Sequence, residues 1–365
     1  MIRMFGICLM LFLFSISSQG QQRTISGHVR DKTNGDVLIV ASVYVKGSSI
    51  GTITNAYGLY SLTLSTDIQY IVFSYVGFEA TQIHLSSSTD TTVDVELIPK
   101  TQNIDQVVIS AEKENSNITS INVSMDKLTR KTIKKIPVLM GETDMIKSLQ
   151  LMPGVKSTGS LSSGMSVRGG ARDQNLLLLD EATVYNASHL GGIFSVFNND
   201  AIKNVDLYKG YIPARYGGRL SSLIDIRMKD GNMKKFTGNG GIGLISSRLT
   251  LEGPIVKDKG SFIVSGRRTY MDVMIKGAKE ISQSDRISEF PIHFYDLNTK
   301  LNFKLNENNR VYASGYFGRD VFAFSSNSKS ESNFDWGNYT TTIRWNHLFS
   351  KKLFSNFTLL ASNYD

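Results

Sequence analysis

Cysteine is nearly absent from this chain: 365 residues include a single one, Cys8, which lies in the first apolar stretch. Once that stretch is removed, neither an internal disulfide nor a thiolate metal site can form. Proline is also scarce, with 6 residues, and 41% of the chain is hydrophobic, which excludes a disordered or collagen-like chain. No run of 18 apolar residues follows the N-terminus, which excludes a transmembrane helix there.

Charge of one sign is not concentrated either. The 40 basic and 32 acidic residues are scattered, for a net charge of +8, and the one basic cluster, residues 127–135, is too local to indicate nucleic-acid binding. Residues 238–243 fit GxGxxG, but a strand rather than a helix is predicted after them, so no dinucleotide site follows. The five histidines are far apart and show no ligand spacing: His28, His84, His189, His293 and His347. We therefore expect no enzyme, catalytic residue, metal or cofactor.

The first twenty residues have the pattern of a secretory signal. Arg3 gives a positive start, Phe5 to Phe14 is apolar, and Ser18 and Gly20 place small residues at the −3 and −1 positions. Because Cys8 lies inside the apolar stretch, a lipoprotein anchor is not expected. A buried N-terminal helix is the alternative. The sequence predicts an exported protein.

Residues 23–98 are predicted to form a sandwich of about seven short strands separated by polar turns. The apolar, β-branched runs are Ile25–Val29, Leu38–Val45, Ser61–Leu64, Tyr70–Val76, Gln82–Leu85 and Thr92–Leu97. The strings GHVRDKTNGDVL (27–38), ASVYVKGSSIGTITNAYGLYSL (41–62) and YVGFEA (75–80) closely resemble the carboxypeptidase-regulatory-like domain. No paired His and Glu ligands accompany them, so the resemblance implies no peptidase.

A polar linker, residues 99–120, contains one β-branched island from Ile104 to Ala111. Such a segment can add itself as a strand to the sheet edge of another protein, or it can cap the sandwich that precedes it. From the residues alone, both alternatives stay open.

The next block is rich in glycine, since residues 154–243 hold 15 of the 31 glycines. That density suits tight turns rather than long helices. Ahead of it, residues 141–152 carry apolar residues on one helical face and stop at Pro153. Residues 176–179, 205–208 and 223–226 are predicted to be short buried strands, which gives a compact mixed α+β domain.

This block resembles the plug domain of TonB-dependent outer-membrane receptors. The strings that carry the resemblance are LQLMPGVKSTG (149–159), MSVRGG (165–170) and NLLLLDEATVYNASHLGGIFSVFNNDAIKNVDLYKGYIPARYGGRLSSLIDIRMKDG (175–231). It implies a plug motif made of Arg168, Gly169, Gly170, Asp180, Gly191, Gly192, Lys209, Gly210, Arg215, Gly217, Gly218 and Arg219.

The resemblance also bears on the linker. In that family, such an island just before the plug is the TonB box, which the inner-membrane energy transducer TonB pulls. Here the box would be Asp105, Gln106, Val107, Val108, Ile109, Ser110 and Ala111. For Arg168, the resemblance implies a buried arginine that locks the plug to barrel acids, and the alternative is an arginine at the side of a turn.

From residue 236 onward the pattern changes to long antiparallel strands. Between Leu297 and Leu305, leucine, threonine and phenylalanine alternate with asparagine and lysine, as the wall of a transmembrane barrel requires. Residues 291–365 hold 16 aromatics, which suits interfacial girdles. A soluble sandwich would alternate in the same way, but the export signal and the preceding plug favour a barrel. GPIVKDKGSFIVSGRRTYMD (253–272) also resembles the start of the barrel in this family.

Six strands are predicted in this last region: 236–252, 260–275, 293–305, 309–324, 336–349 and 351–364. A barrel that holds a plug needs about 22 strands, and open edges are not tolerated in lipid. We therefore expect a mostly β chain that is the N-terminal part of a longer receptor. Its predicted parts are a signal peptide (1–20), a sandwich (23–98), a linker with the TonB box (99–120), a plug (121–235) and a partial barrel (236–365).

The resemblance implies an outer-membrane receptor, with its sandwich and plug on the periplasmic side, that imports a scarce, bulky solute. Its partners would be TonB, outer-membrane lipid and an extracellular solute of unknown class. The plug lacks the typical pattern of the branch that pairs with a surface glycan-binding lipoprotein, which slightly favours a solute other than a glycan. A surface lipoprotein partner stays open. The alternative function is a secreted, non-transporting β-rich adhesion or assembly protein.

Overall fold

The computed structural model describes residues 22–86, 89, 91–100, 125–129, 133, 142–159, 162–282, 292–326 and 330–365. The predicted signal peptide, residues 1–20, and the predicted TonB box, residues 105–111, lie outside these residues. The chain divides into two compact units, residues 1–103 with 348–355 and residues 104–347 with 356–365.

The N-terminal region is a β-sandwich, as predicted, with eight strands where the sequence suggested about seven. The strands are β1 (Gln22–Asp31), β2 (Ser42–Tyr44), β3 (Gly51–Ile53), β4 (Leu59–Ser65), β5 (Tyr70–Ser74), β6 (Thr81–His84), β7 (Thr91–Thr92) and β8 (Val95–Leu97). One sheet places β4, β1 and β7 side by side, with β8 also paired to β1, and the other has the order β3-β2-β5-β6. Their inward residues, among them Ile25, Leu64 and Phe73, form an apolar core.

The sandwich turns use the chemistry that the sequence indicated. Gly58 has φ +71°, and a Cβ there would come within 2.7 Å of the Val37 side chain. Asn55 begins this turn, and its side-chain oxygen accepts hydrogen bonds from the backbone N–H of Tyr57 and of Leu59. Only glycine fits the conformation and the space at position 58.

The central region, which we call the plug (residues 142–235, with β9 ahead of them), is a mixed α+β domain. Its strands are β9 (Met125–Thr129), β10 (Val155–Ser157), β11 (Met165–Val167), β12 (Asn175–Leu179), β13 (Ala182–Thr183), β14 (Ser188–His189), β15 (Phe194–Ser195), β16 (Ile202–Tyr208) and β17 (Ser222–Met228). Five of them form a sheet in the order β13-β12-β17-β16-β9, in which β12 and β17 run parallel. The predicted strands at 176–179, 205–208 and 223–226 are confirmed as β12, β16 and β17.

One helix, α1 (Met145–Gln150), packs on this sheet through Met145, Ile146 and Leu149. The carboxylate of Asp144 caps its start, because it accepts hydrogen bonds from the backbone N–H of Ile146 and Lys147. The helix is shorter than the predicted 141–152, since its first turn begins only after this cap.

The C-terminal region, which we call the wall, is one antiparallel sheet of seven strands in sequence order. The strands are β18 (Thr237–Ile242), β19 (Ser246–Val256), β20 (Gly260–Thr269), β21 (Ile292–Asn306), β22 (Asn309–Ser326), β23 (Ser330–Ser350) and β24 (Leu353–Tyr364). Among the described residues, β18 and β24 are not paired with each other, so this sheet is open.

Two of the predicted wall strands need correction. The predicted strand 236–252 is a hairpin of β18 and β19, because the glycine-rich run ending at Gly243 turns the chain before Ser246. The predicted strand 260–275 ends at Thr269, and helix α2 (Met271–Ser282) follows, since the residues after Tyr270 no longer alternate. The count is therefore seven strands rather than six. Among the helices in the described part of the chain, none is long and apolar enough to cross a membrane.

The two faces of the wall differ as the sequence predicted. On β21, Leu297 and Leu301 are 43% and 49% exposed on the outer face, whereas Asn298, Lys300 and Asn302 are buried on the inner face. Since side chains alternate along a strand, this register sends every second residue of the wall toward the plug. The inner face of the wall therefore defines the place where function is to be sought.

Candidate functional site

The interface between the plug and the inner face of the wall is built from buried polar and charged side chains. The wall contributes Thr250, Ser265, Arg267, Asp296, Asn298, Lys300, Asn302, Asp320, Asn338, Thr340, Thr342, Arg344 and Asn346, all of them buried. Burying a charge without a partner is costly, so each buried charge here is expected to meet an opposite charge from the plug. Four groups of contacts meet that expectation.

The first group surrounds Lys300 on β21. Its Nζ lies 3.0 Å from Asp180 Oδ2 and 2.9 Å from Asp230 Oδ1, and it donates to the carbonyl of Met228. Asp180, a predicted plug-motif residue, sits between β12 and β13 with φ +46°, and its other oxygen accepts from the backbone N–H of Met228. Burial raises the pKa of Asp230, but the ammonium groups of Lys300 and Lys203 outweigh it and hold that pKa below its usual range. One wall lysine thus binds two plug carboxylates.

The second group surrounds Arg344 on β23. Its guanidinium lies 3.0 Å from Glu181 Oε2, and the other oxygen of Glu181 lies 3.2 Å from Arg227 Nη1. Arg227 also pairs with Asp225 at 2.8 Å. Burial raises the pKa of Glu181, but Arg344 and Arg227 together lower it to about 2. Glu181 therefore stays ionised and connects a wall arginine to a plug arginine.

The third group surrounds Arg267 on β20. Its guanidinium lies 2.9 Å from Glu142 of the plug and 2.6 Å from Asp296 of the wall, and it donates to the carbonyl of Ser195. Glu142 also accepts a hydrogen bond from the Ser246 hydroxyl. The two carboxylates compensate the positive charge of Arg267. Its contacts join three elements: the start of the plug, the β14–β15 hairpin and the wall.

The fourth group contains His189, on β14, which is 1% exposed. Its Nδ1 lies 2.7 Å from Asp320 Oδ2, and the backbone N–H of Leu190 donates to the other oxygen of the same carboxylate at 2.8 Å. Sequence reasoning treated His189 as one of five scattered histidines and missed this position. The only sequence signal would have been its place between Ser188 and the glycine pair Gly191 and Gly192, which make the turn of the β14–β15 hairpin with φ +65° and +115°.

The predicted lock at Arg168 does not form with the part of the wall that the structure describes. Arg168 is exposed and has φ +49° in the turn after β11, so it is the turn-side arginine of the alternative and not a buried lock. Its guanidinium runs over Gly210, where the absence of a side chain leaves room for it. A charged group at the surface keeps its water, which is why this position does not need a buried partner.

The other predicted plug-motif residues shape turns. Gly169 has φ +84°, and a Cβ at Gly170 would collide with the Ser221 hydroxyl. Lys209 pairs with Asp126 of β9 and donates to the carbonyl of Pro153. In the β16–β17 connection, the guanidinium of Arg215 lies 4.7 Å from the centre of the Tyr216 ring. Gly217, Gly218 (φ +89°) and Arg219 follow it, exposed. Apart from Asp180, none of the motif residues named here contributes a charge to the buried interface.

The plug also has a cavity of about 410 Å³. Its lining includes Arg172, Asp173, Tyr185, Asn186 and Arg219 of the plug and Tyr364 of the wall. Polar and aromatic groups of this kind can bind an organic solute by hydrogen bonding and stacking.

Fold and site together define a class: a sandwich domain followed by a plug that packs, through buried ion pairs, on the polar face of an antiparallel wall. Residues 25–109 match the family described as CarboxypepD_reg-like domain, and residues 117–222 match the TonB-dependent receptor plug domain. The chain thus carries the sandwich and the plug of TonB-dependent receptors, which confirms both resemblances.

Named relatives agree with this assignment. The TonB-dependent receptor SusC of Bacteroides thetaiotaomicron is 26% identical over 260 residues, which cover 66% of this chain and 25% of SusC. The TonB-dependent receptor P26 of Formosa agariphila is 28% identical over 215 residues, 57% of this chain and 20% of that protein. The chain thus spans about a quarter of the length of these relatives or less. Among solved structures, the siderophore receptor PirA from Pseudomonas aeruginosa has a TM-score of 0.46 and 18% identity, over 66% of this chain and 40% of that one.

Proposed function

We propose that this chain is the N-terminal part of an outer-membrane receptor that imports a bulky solute when TonB pulls on its N-terminal side. The observation that carries the proposal is the chemistry of the plug–wall interface. Charged and hydroxyl groups that separate can be rehydrated, whereas separating an apolar core costs about 25 cal/mol for each Å² exposed. The interface therefore suits a plug that must leave and return.

Buried ion pairs also suit this task energetically. The attraction between Lys300 and its two carboxylates is largely offset by the cost of removing all three from water. Such pairs add little net stability but demand correct partners, so they set the position of the plug without fixing it permanently.

The wall supports a membrane location. Its outer face carries exposed apolar side chains, among them Leu251, Leu301, Ile343 and Trp345. At one end of the wall, residues 257–259 and 307–308 are short turns. At the other end, residues 243–245 are also a short turn, but residues 270–282, with α2, belong to a long connection. Barrels of this kind have short periplasmic turns and longer outer loops. We therefore place the turns 257–259 and 307–308, the N-terminal end of the plug and the sandwich on the periplasmic side.

The plug cavity is the place where a solute would bind. We assign its contact on the plug to the cavity near Tyr185 and Arg219. Siderophore, oligosaccharide, peptide and cobalamin all stay open, as does a surface lipoprotein partner.

The TonB box, residues 105–111, is tested in the full-length receptor without knowledge of the solute. Proline at Val108 removes a backbone donor and should abolish cross-linking to the periplasmic domain of TonB, because strand addition depends on backbone hydrogen bonds. Asn115→Pro is the matched control, since it places the same residue in the same linker outside the box. Both variants should reach the outer membrane and show heat-modifiable migration.

Two results would count against the proposal in different ways. Normal cross-linking of Val108→Pro would show that residues 105–111 are not the TonB box. Absence of the wild-type protein from the outer membrane would contradict the receptor function and favour a secreted adhesion protein.

A further inference from the structure

His189 differs from the other interface residues named above, because an imidazole ordinarily changes its charge near neutral pH. The imidazole ring lies flat on the Phe294 ring of β21, with 4.1 Å between ring centres and 7° between planes. The same Phe294 ring lies 4.9 Å from the guanidinium carbon of Arg267. Leu190, Phe194 and Phe294 close an apolar cluster around the site. The ring is therefore fixed in orientation and shielded from water.

Both nitrogens of this fixed ring face carboxylates of the wall. Nδ1 lies 2.7 Å from Asp320 Oδ2 on β22, and Nε2 lies 3.6 Å from Asp296 Oδ2 on β21. A neutral imidazole has one N–H, whereas an imidazolium has two. Only the protonated form can direct an N–H toward both wall strands at once.

The remaining charges near the ring leave Asp320 dependent on His189. Arg267 of β20 pairs with both Asp296 and Glu142, one cation for two carboxylates, so it has no charge to spare for Asp320. Asp144 accepts hydrogen bonds from the start of α1 and from the backbone N–H of Ser195. Tyr316 of β22 places its hydroxyl 3.5 Å from Nε2 and carries no charge. Within the described part of the chain, the one ion-pair partner of Asp320 is His189. If the imidazole is neutral, Asp320 is a buried carboxylate that keeps hydrogen bonds but no cation.

We propose that His189 is a proton-operated latch between the plug and the wall, closed while the imidazolium bridges Asp320 and Asp296 and weakened when the ring loses its proton. Burial by itself lowers the pKa of His189, but the hydrogen bonds and charges of Asp296 and Asp320 outweigh it and raise that pKa above its ordinary value. The direction agrees with the geometry.

The sign of the pH effect follows from this direction. When the plug is displaced, His189 has an ordinary pKa near 6.5. A group with a raised pKa in the bound state stabilises that state fully below its free pKa, and the contribution is lost as pH rises through the bound pKa. The latch is therefore tight in acid and loose in alkali. Its consequence for uptake rests on the proposed function: less work displaces the plug at higher pH.

The experiment is hydrogen–deuterium exchange of backbone amides in residues 186–196 of the full-length receptor in detergent, at pH 5 to 9 and corrected for intrinsic rates. In the wild type, protection should fall with rising pH, tenfold for each unit by which the pKa of bound His189 exceeds its free value. His189→Asn keeps a neutral donor toward Asp320, so its protection should be lower in acid and independent of pH. His84→Asn, at an exposed position of the sandwich, should behave as the wild type.

A second measurement serves if His189→Asn does not fold. Exchange of the C2 hydrogen of histidine, followed by mass spectrometry, gives the pKa of His189 in the wild type directly. A pKa at or below the ordinary value, or an unchanged pH profile in His189→Asn, would overturn the latch. If the latch depends on pH but TonB does not bind the protein, the inference about His189 stands and the proposed function is wrong.

Discussion

The core of the sandwich and the interface between plug and wall are both buried, but the first consists of apolar side chains and the second of charged and polar ones. Ile71, Phe73 and Leu97 of the sandwich are almost fully inaccessible and touch other apolar side chains. Lys300, Arg344 and Asp180 of the interface are buried to a similar degree but touch opposite charges. The first arrangement gains free energy from excluding water and stays closed. The second gives correct placement at little net gain in free energy.

Removing one charge from the interface should have the largest effect. Lys300→Met leaves the buried carboxylates Asp180 and Asp230 without the cation they share, so the free energy of plug unfolding in the full-length receptor should fall by about 5 kcal/mol. Urea unfolding followed by protease sensitivity of the plug measures it. Lys304→Met on the same strand, where the partner Glu307 is exposed, should cost less than about 1 kcal/mol. Equal losses in the two variants would contradict the comparison.

A substitution that leaves a cavity in the sandwich core should have the second-largest effect. Phe73→Ala removes a fully buried ring that contacts Tyr60 edge to face, at a cost of about 4 kcal/mol. A domain of this size has a total stability on the order of 5 kcal/mol, so isolated residues 22–100 should be folded in the wild type and largely unfolded in the variant. Amide-shift dispersion in NMR distinguishes the two. Tyr44→Ala, at a half-exposed position, is the control that should stay folded.

The effect of pH on the second ion-pair group should be smaller. Because the pKa of Glu181 falls to about 2 in the folded protein, its contribution is present above its usual pKa of 4.5 and is lost as pH falls toward 2. Replacing it with glutamine should remove on the order of 2 kcal/mol at neutral pH and little at pH 2. Urea midpoints of wild type and Glu181→Gln between pH 2 and 6 test this. Parallel curves would show that Glu181 is not held by Arg344 and Arg227.

The smallest effect is expected where the sequence suggested the lock. Arg168 is exposed, so Arg168→Ala should change the free energy of plug unfolding by less than about 0.5 kcal/mol. Arg267→Ala, which strips a buried arginine from Glu142 and Asp296, provides the contrast and should cost several kcal/mol. A large loss in Arg168→Ala would restore the original interpretation of that residue.

The sequence predicted what depends on local pattern. Alternation around Lys300 predicted which side chains point inward, and the turn residues predicted the sandwich. Contacts between residues far apart in the sequence could not be predicted from local pattern. His189 and Asp320 are 131 residues apart, and Lys300 and Asp180 are 120 residues apart. In the first two groups of contacts the polarity was also the reverse of the expected one, although His189 of the plug does meet wall acids. We expected a plug arginine against wall acids, whereas Lys300 and Arg344 of the wall bind plug acids.

If the plug is pulled from its N-terminal side, as we propose, the place of β9 in its sheet matters for how it yields. β9 is an edge strand whose one pairing partner among the described strands is β16, with five antiparallel pairs from Met125–Tyr208 to Thr129–Asn204. It is the plug strand nearest the N-terminus in the described chain. Tension applied from that side reaches β9 before any central strand. An edge strand pulled from one end across its sheet separates one backbone pair at a time, so the force needed is that of a single pair. A pull along the strand would load all five pairs at once. The strands behind it, β16 and β17, share their load along their whole length and resist as a block.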